Sequence, residues 1–457
     1  MRKEKYIGLL VAVFVTMMMF SAIPAAGQYA YAKFSAGTLT FYYDNNKTHN
    51  TYSLGVTTNQ GMEGCEWLPI ASEIKKIVFD QSFANYRPTS CAYWFYNCKN
   101  LTEIVDMDKY LNTEQVTDMY FMFAFCGLSN IDVSQFNTEN VTNMGCMFYG
   151  CNNISSLDLS SLNTKKLTEM GGMFRNCENL KYVNLENFNT ENVVNMAVLF
   201  YECPSITHID LSSFNTKNAQ TMGAMFTRCS NLVSVNLSSF NTENVTSMPS
   251  FEGCSNLKSI DLKNFNTKKA RYMSAMFKDC SSLTVLDLSS FDTRNVESMH
   301  EMFAGCDNLQ TIYVGNGWNT ASVSSNTSKI FQDCYKLYGG EGTSLPFWDQ
   351  GTKYAKIDGG IISPGLLTRA GSPAFNAPYS VFDENTGCLT IYYKDEKPEI
   401  TYGIRNKKSA NVKKVVFDKS FANYRPTSCN AWFNGYENLV EIVDMEKYLN
   451  TENVVDV

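Results

Sequence analysis

A cysteine preceded by the pattern Phe-x-x recurs ten times between residues 98 and 334, and this period limits what the chain can fold into. Successive copies are 25 to 28 residues apart, a regularity that chance does not produce. A fixed period of roughly 20–50 residues indicates a solenoid, in which each unit packs only against its two neighbours. The members of this cysteine column are Cys98, Cys126, Cys151, Cys177, Cys203, Cys229, Cys254, Cys280, Cys306 and Cys334.

Each unit carries two apolar periods, as residues 180–203 illustrate. Apolar residues from Leu180 to Leu185 alternate with polar ones, which predicts a strand with one buried face. A Phe-Asn-Thr turn at 188–190 supplies a residue that can cap a helix. From Val193 to Cys203 the apolar steps of three, three, one and three fit one face of a short helix. The alternative interpretation, in which these later segments are only loose turns, stays open.

The longer pattern F-N-T-x-N-V-x-x-M-x-x-M-F-x-x-C, as in Phe136–Cys151, resembles the BspA-like leucine-rich-repeat surface proteins of bacteria. The similarity extends over about residues 74–370, and the glycine-rich segment after residue 338 resembles the way that family ends its array. The resemblance implies an α/β, right-handed leucine-rich-repeat-like solenoid of about ten coils. A parallel β-sheet would line its concave face and short helices its convex face. It also implies export and a surface role in adhesion to host or neighbouring cells.

Residues 1–27 are interpreted as a signal peptide, which predicts an exported, extracellular or cell-surface protein. Arg2, Lys3 and Lys5 precede an apolar run from Ile7 to Phe20 that is too short to span a bilayer. Small residues at 25–27 suit cleavage, and Ala32 ends a second candidate cleavage sequence. No transmembrane span is expected elsewhere in the chain.

The first and last repeat units set the boundaries of the remaining segments. Residues 28–73 are predicted to form an N-terminal β cap, 74–336 the ten coils, and 337–378 a C-terminal cap and linker. Pro249 falls within one convex segment and predicts a broken or shortened helix there. Residues 413–429 nearly copy 75–91, so we interpret 379–457 as the truncated start of a second cap-plus-repeat module. We expect the repeat to continue beyond Val457.

The cysteine column has two interpretations. Its phasing beside Phe favours buried thiols that pack as small hydrophobes, whereas export leaves disulfides between coils as the alternative. A zinc site is disfavoured because the chain has no Cys-x-x-Cys pattern and its three histidines are scattered. Methionines at repeated positions, such as Met196 and Met222, are expected in the core.

A polar column on the predicted concave face is the candidate ligand surface. Solenoids bind along this face, although the same side chains also suit a polar ladder that only keeps the sheet solvated. Tyr182 and His208 run beside the column and make its middle the preferred binding patch. The column consists of Asp132, Asp158, Asn184, Asp210, Asn236, Asp261, Asp287 and Tyr313. No calcium-loop spacing accompanies it.

No enzyme motif stands out, and neither a cofactor nor a metal is indicated by the sequence. The net charge of −7, without a basic cluster, argues against nucleic acid as a partner. The expected function is therefore an adhesin that recognises a host extracellular-matrix or cell-surface protein or glycan. The alternatives are a structural spacer that displays another domain, or an enzyme whose catalytic domain follows residue 457.

Overall fold

The computed structural model describes residues 27–55, 64–324, 329–340, 343, 351–358, 365–372, 379–393, 409–424, 426, 429, 432–433, 435–452 and 454. All of the predicted signal peptide except Gly27, and the chain end beyond 454, lie outside these residues. Among the described residues, none belongs to a helix with the length and hydropathy that a bilayer crossing requires.

The described strands are short, and most of them pair in parallel with a neighbouring coil. They are β1 Tyr29–Ser35, β2 Thr38–Asp44, β3 Tyr52–Ser53, β4 Lys76–Phe79, β5 Glu103–Val105, β6 Ser156–Asp158, β7 Tyr182–Asn184, β8 His208–Asp210, β9 Ser234–Asn236, β10 Val285–Leu288, β11 Thr311–Val314, β12 Thr368–Arg369, β13 Tyr379–Asp383, β14 Cys388–Tyr392, β15 Lys414–Phe417 and β16 Glu441–Val443. The helices are α1 Met107–Tyr110 and α2 Met445–Tyr448, with 3-10 turns at Leu68–Glu73, Gln81–Asn85, Thr352–Tyr354, Ser409–Asn411 and Lys419–Asn423.

A hairpin covers the first coil. Strands β1 and β2 pair antiparallel across a two-residue turn at Ala36 and Gly37, both of which have positive φ (49° and 82°). Positive φ at both central residues gives the turn whose twist matches that of a hairpin. Strand β2 then pairs in parallel with β4, so the hairpin occupies the sheet edge that the first coil would otherwise expose.

The parallel solenoid predicted from the sequence is confirmed. Strands β6 and β7 pair in register with Leu157 opposite Val183, and β8 pairs with β9 with Ile209 opposite Val235. Further along, β10, β11 and β12 form a three-stranded parallel sheet. One continuous core of buried apolar residues runs under these strands from the hairpin to Leu367.

The segments predicted as convex helices are stacked turns, so that part of the prediction is wrong and the turn alternative holds. In the unit that ends at Cys126, Phe121 and Phe125 take left-handed φ values of 55° and 56°. Because the backbone reverses direction at these left-handed residues, the segment cannot continue as a helix. Alternate N–H groups instead point to the next coil. The N–H of Phe121 donates to the carbonyl of Gly145 (3.1 Å), and that of Phe123 donates to the carbonyl of Met147 (2.9 Å).

The expected helix break at Pro249 is likewise wrong, because no helix exists there to break. The turn stack continues through this coil, which is one residue shorter than its neighbours. Phe226 donates its N–H to the carbonyl of Ser250 (3.1 Å), and Phe251 donates to that of Met276 (2.8 Å). Loss of one residue at Pro249 therefore removes part of one turn and leaves the stacking intact.

The methionine and cysteine columns lie in the core, as predicted. Met196 and Met222 are fully buried, and so is the phenylalanine before each column cysteine. Successive rings stack, with centroids 5.2 Å apart for Phe174 and Phe200 and nearly parallel planes. All fifteen cysteines are free thiols, and the ten of the column are buried. The disulfide alternative is therefore not realised in the structure.

Eight of the ten column thiols, from Cys151 to Cys334, also donate a hydrogen bond to a carbonyl of the coil before. The Sγ of Cys203 donates to the carbonyl of Phe174 (2.9 Å), and that of Cys229 donates to the carbonyl of Phe200 (3.0 Å). Burial raises the pKa of the Cys229 thiol to about 12. The column thus joins coils through neutral thiols rather than through covalent bridges.

The array ends on a buried carboxylate. Asp358 accepts bonds from the N–H (2.9 Å) and the hydroxyl (2.7 Å) of Thr343, while Trp318 donates its indole N–H to the carbonyl of Ala355 (2.8 Å). Beyond it, the order β13, β14, β15, β16 repeats the order and strand senses of β1, β2, β4 and β5.

Candidate functional site

The outward side chains of the strands form one exposed surface, the strand face. Tyr182 on β7 lies opposite Ser156 on β6, and His208 on β8 lies opposite Ser234 on β9. All four are exposed, and Tyr182 is 59% accessible. Alternation along each strand produces this surface, since the residue between two outward positions points into the core.

The Asp and Asn residues of the predicted ligand column close the strands. The Oδ1 of Asp210 accepts the backbone N–H of Ser212, two residues later (3.0 Å), and Asn236 does the same for Ser238 (3.2 Å). Such an Asx turn satisfies a donor that the ladder leaves unpaired. The other members with this contact are Asp132, Asp158, Asn184, Asp261 and Asp287.

These turns influence the acidity of the carboxylates. Backbone N–H donation by Ser212 holds the pKa of Asp210 below its usual range. For Asp158 the hydroxyl of Ser160 is the main cause of the lowered pKa, followed by the backbone N–H of Ser160. Asn236 and Asn184 add a smaller lowering contribution to the same two pKa values. The amides of Asn184 and Asn236 therefore help to keep the two neighbouring carboxylates ionised.

Two members of the predicted site differ from the rest. Asp261 forms an ion pair with Lys263 (2.8 Å), whose side-chain hydrogen bond is the main reason for the lowered pKa of Asp261. Tyr313 is only partly exposed because Thr368 of β12 pairs beside it. The exposed middle of the strand face therefore centres on Tyr182 and His208.

The chemistry available on this surface is hydrogen bonding and aromatic contact. Within the described residues, no three His, Cys, Asp or Glu side chains lie close enough together to hold a metal ion. The Nδ1 of His208 lies 3.0 Å from the hydroxyl of its neighbour Thr207. Since the strand face offers an aromatic ring, an imidazole and hydroxyl groups on adjacent coils, it suits a binding surface.

Sequence reasoning missed a buried threonine in the turn after each strand. The hydroxyl of Thr190 donates to the carbonyl of Asn215 (3.0 Å) and accepts its N–H (2.8 Å). The repeated Phe-Asn-Thr is the signal for this contact, but the pattern also fits a helix cap. Its members are Thr113, Thr138, Thr164, Thr190, Thr216, Thr242, Thr267 and Thr293.

Stacked parallel strands, stacked turns and a continuous core define the chain as a solenoid repeat protein, a class of protein-binding scaffold. More specifically, the chain belongs to the family described as "Mycoplasma protein of unknown function, DUF285", whose model matches residues 89–205, 152–250 and 233–339. No curated protein matches the chain.

Several solved structures are similar to the chain, including these two. A leucine-rich repeat protein from Eubacterium ventriosum ATCC 27560 is 17% identical, with 71% of this chain and 96% of that one covered and a TM-score of 0.35. In the TLR13-ssRNA13 complex, the matched chain is 13% identical, with 82% of this chain and 44% of that one covered and a TM-score of 0.25.

Proposed function

We propose that the protein is an exported bacterial adhesin of the BspA-like kind, which recognises a host extracellular-matrix or cell-surface protein or glycan through its strand face. The observation that carries the proposal is the exposure of Tyr182 and His208 on adjacent coils of the strand face. Aromatic residues contribute much of the energy at protein interfaces. The Asp and Asn side chains beside them shape the edge of the strand face by closing its strands.

The test is binding of the full chain to a panel of immobilised matrix proteins and cell-surface glycans. We expect specific binding that the double substitution Tyr182→Ala with His208→Ala weakens by about ten-fold or more, equivalent to about 1.4 kcal/mol. Tyr272→Ala is the matched control, because Tyr272 is equally accessible (57%) but lies outside the strand face. Melting temperatures should stay the same in all variants, since these side chains project into solvent.

A spacer is the second candidate, and the recurrence of the β1–β2–β4–β5 arrangement in β13–β16 favours it, because tandem modules lengthen a stalk. Absence of binding across the whole panel would support the spacer. Binding that is equally strong in the parent and in the double variant would remove the strand face from the proposal.

A further inference from the structure

A second surface lies on the stacked turns, away from the strand face. Phe121, Phe125, Tyr149 and Tyr201 are each partly exposed there, on coils that follow one another. The rings of Phe121 and Phe125 both contact that of Tyr149, with centroids 4.5 Å apart for Phe125 and Tyr149. We call these four residues, together with Arg175, the turn-side patch.

Arg175 occupies the centre of this patch. Its guanidinium lies between two rings, 5.1 Å from the centroid of Tyr149 and 5.0 Å from that of Tyr201. No hydrogen bond or ion pair to its side chain is present among the described residues, and its Nε is buried without a partner. Of the guanidinium nitrogens, Nε alone is buried without a partner among the described residues.

Three later arginines of the array are instead paired with a carboxylate. Arg228 pairs with Glu202, Arg271 with Glu297 and Arg294 with Asp292. Contact with aromatic rings offsets only part of the hydration that a cation loses on burial. The guanidinium of Arg175 therefore has unused capacity for an anion, and a carboxylate fits its planar pair of donors.

The rings point to a protein as the source of that carboxylate. Tyr149 and Tyr201 already direct their faces at Arg175, and Phe121 stacks on Tyr93 with 5.5 Å between centroids. Few ring faces are left for a sugar to stack upon, whereas ring edges remain for aliphatic and aromatic side chains. Tyr, Phe and Arg are also enriched where proteins meet.

The patch has a limit along the solenoid. In the later coils the corresponding row becomes charged and internally paired, as in Lys278 with Glu301 (2.5 Å). In the part of the chain that the structure describes, the earlier coils therefore combine apolar ring edges with a cation that has no carboxylate partner.

We propose that the turn-side patch binds an acidic segment of a partner protein. An Asp or Glu of the partner pairs with Arg175, and apolar residues next to it pack on Phe121, Phe125 and the tyrosine edges. This surface is separate from the strand face, so it does not depend on the adhesin function proposed above.

The experiment uses a phage-displayed library of short random peptides, selected on the immobilised full chain. We expect enriched peptides that place an acidic residue beside an aromatic or aliphatic one. Synthetic versions should lose about ten-fold or more in affinity, about 1.4 kcal/mol, when Arg175→Ala or Arg175→Gln is introduced. Arg175→Lys should rescue only part of the affinity, because an ammonium cannot pair bidentately.

Controls separate this patch from the rest of the molecule. Arg271→Ala removes an ion-paired arginine elsewhere, and Tyr182→Ala with His208→Ala alters the strand face; both should leave peptide binding unchanged. Lack of enrichment, or peptides that bind the Arg175→Ala and Arg175→Gln variants as tightly as the parent, would overturn the proposal. Binding of heparin that depends on Arg175, without selected peptides, would show an anionic glycan site instead and would also overturn it.

Discussion

A single threonine hydroxyl performs two tasks at each turn of the solenoid. Thr216 is fully buried, donates to the carbonyl of Asn241 (2.9 Å) and accepts its N–H (2.7 Å). Valine has the shape of threonine but can neither donate nor accept a hydrogen bond. Serine keeps the hydroxyl but lacks the methyl group. The partner lies 25 residues away, which is why sequence reasoning assigned this threonine to a local helix cap.

Thr216→Val should destabilise the fold by about 1–3 kcal/mol, because it removes two partly buried hydrogen bonds to the backbone of Asn241. The free energy of unfolding in urea measures the effect. Thr284→Val serves as the control, since Thr284 is exposed and should change stability little. Equal stability of the two variants would contradict the role given to the hydroxyl.

The buried column thiols should react more slowly than the partly exposed cysteines. Burial raises the pKa of Cys177 and Cys306 to about 12, so their reactive thiolate is scarce in the native state. Iodoacetamide should therefore modify the partly exposed Cys146, Cys388 and Cys429 first, and the column only after denaturation. Mass spectrometry of unreduced protein checks this, and a disulfide between neighbouring column cysteines would disprove it.

Stacked turns replace the expected helices because apolar spacing alone does not distinguish the two. A helix buries residues that are three apart, and so does a stack of turns in which the backbone changes direction every few residues. The reversals occur at residues that carry no common signal, including Val198 (φ 52°), Glu202 (φ 57°) and Arg228 (φ 62°). The strand positions, by contrast, follow a period of two and were predictable.

Gly150→Ala tests the turn geometry. Gly150 has a φ of 68°, and an added Cβ would lie 2.5 Å from the ring of Phe125. The left-handed conformation alone costs a non-glycine residue roughly 1–2 kcal/mol, and the clash adds to it. Gly371→Ala is matched in conformation but has open space around it, so it should lower the melting temperature less.

The strand ends should respond to acid. Because hydrogen bonds lower the folded pKa values of Asp132, Asp158, Asp210 and Asp261, their stabilisation is complete above the unfolded pKa of about 3.9. It is lost as the pH falls through the folded values. Urea unfolding at about pH 7 and about pH 3 should show this loss.

Asparagine provides the matched variant for the acid test. Asp210→Asn keeps the acceptor without a titrating group, as Asn236 does naturally, so it should reduce the acid dependence. Asp210→Ala removes the acceptor and should destabilise at both pH values. If the parent and the Asp210→Asn variant lose the same free energy of unfolding on acidification, groups other than Asp210 are responsible for the loss.

The terminal hairpin protects the whole array. Phe41 of β2 packs against Phe79 and Trp67, with centroids 5.0 and 5.2 Å apart, and so holds the hairpin over the first coil. Phe41→Asp should loosen this cover, expose β4 and give oligomers by size-exclusion chromatography. Tyr29→Asp, on an exposed position of β1, should stay monomeric; oligomers in both variants, or in neither, would contradict the protective role.

For the molecule as a whole, the sequence best predicted the positions of residues that recur in every repeat unit. The period placed the cysteine column in the core, and the coil-by-coil alternation identified Tyr182 and His208 as surface residues. The sequence did not indicate the role of Arg175, because its guanidinium contacts the rings of Tyr149 and Tyr201. Each of these tyrosines is 26 residues away, and only the stacking of the coils brings them beside Arg175.

The bonds between coils have a mechanical consequence. Backbone, threonine and thiol contacts all join each coil to its neighbours, so tension along the solenoid axis loads one interface after another. A released coil of 26 residues extends to roughly 85–95 Å. Under a pulling force the array should therefore lengthen in nearly equal steps of this size, each dissipating energy, and a single abrupt extension in an optical trap would show that the coils yield together.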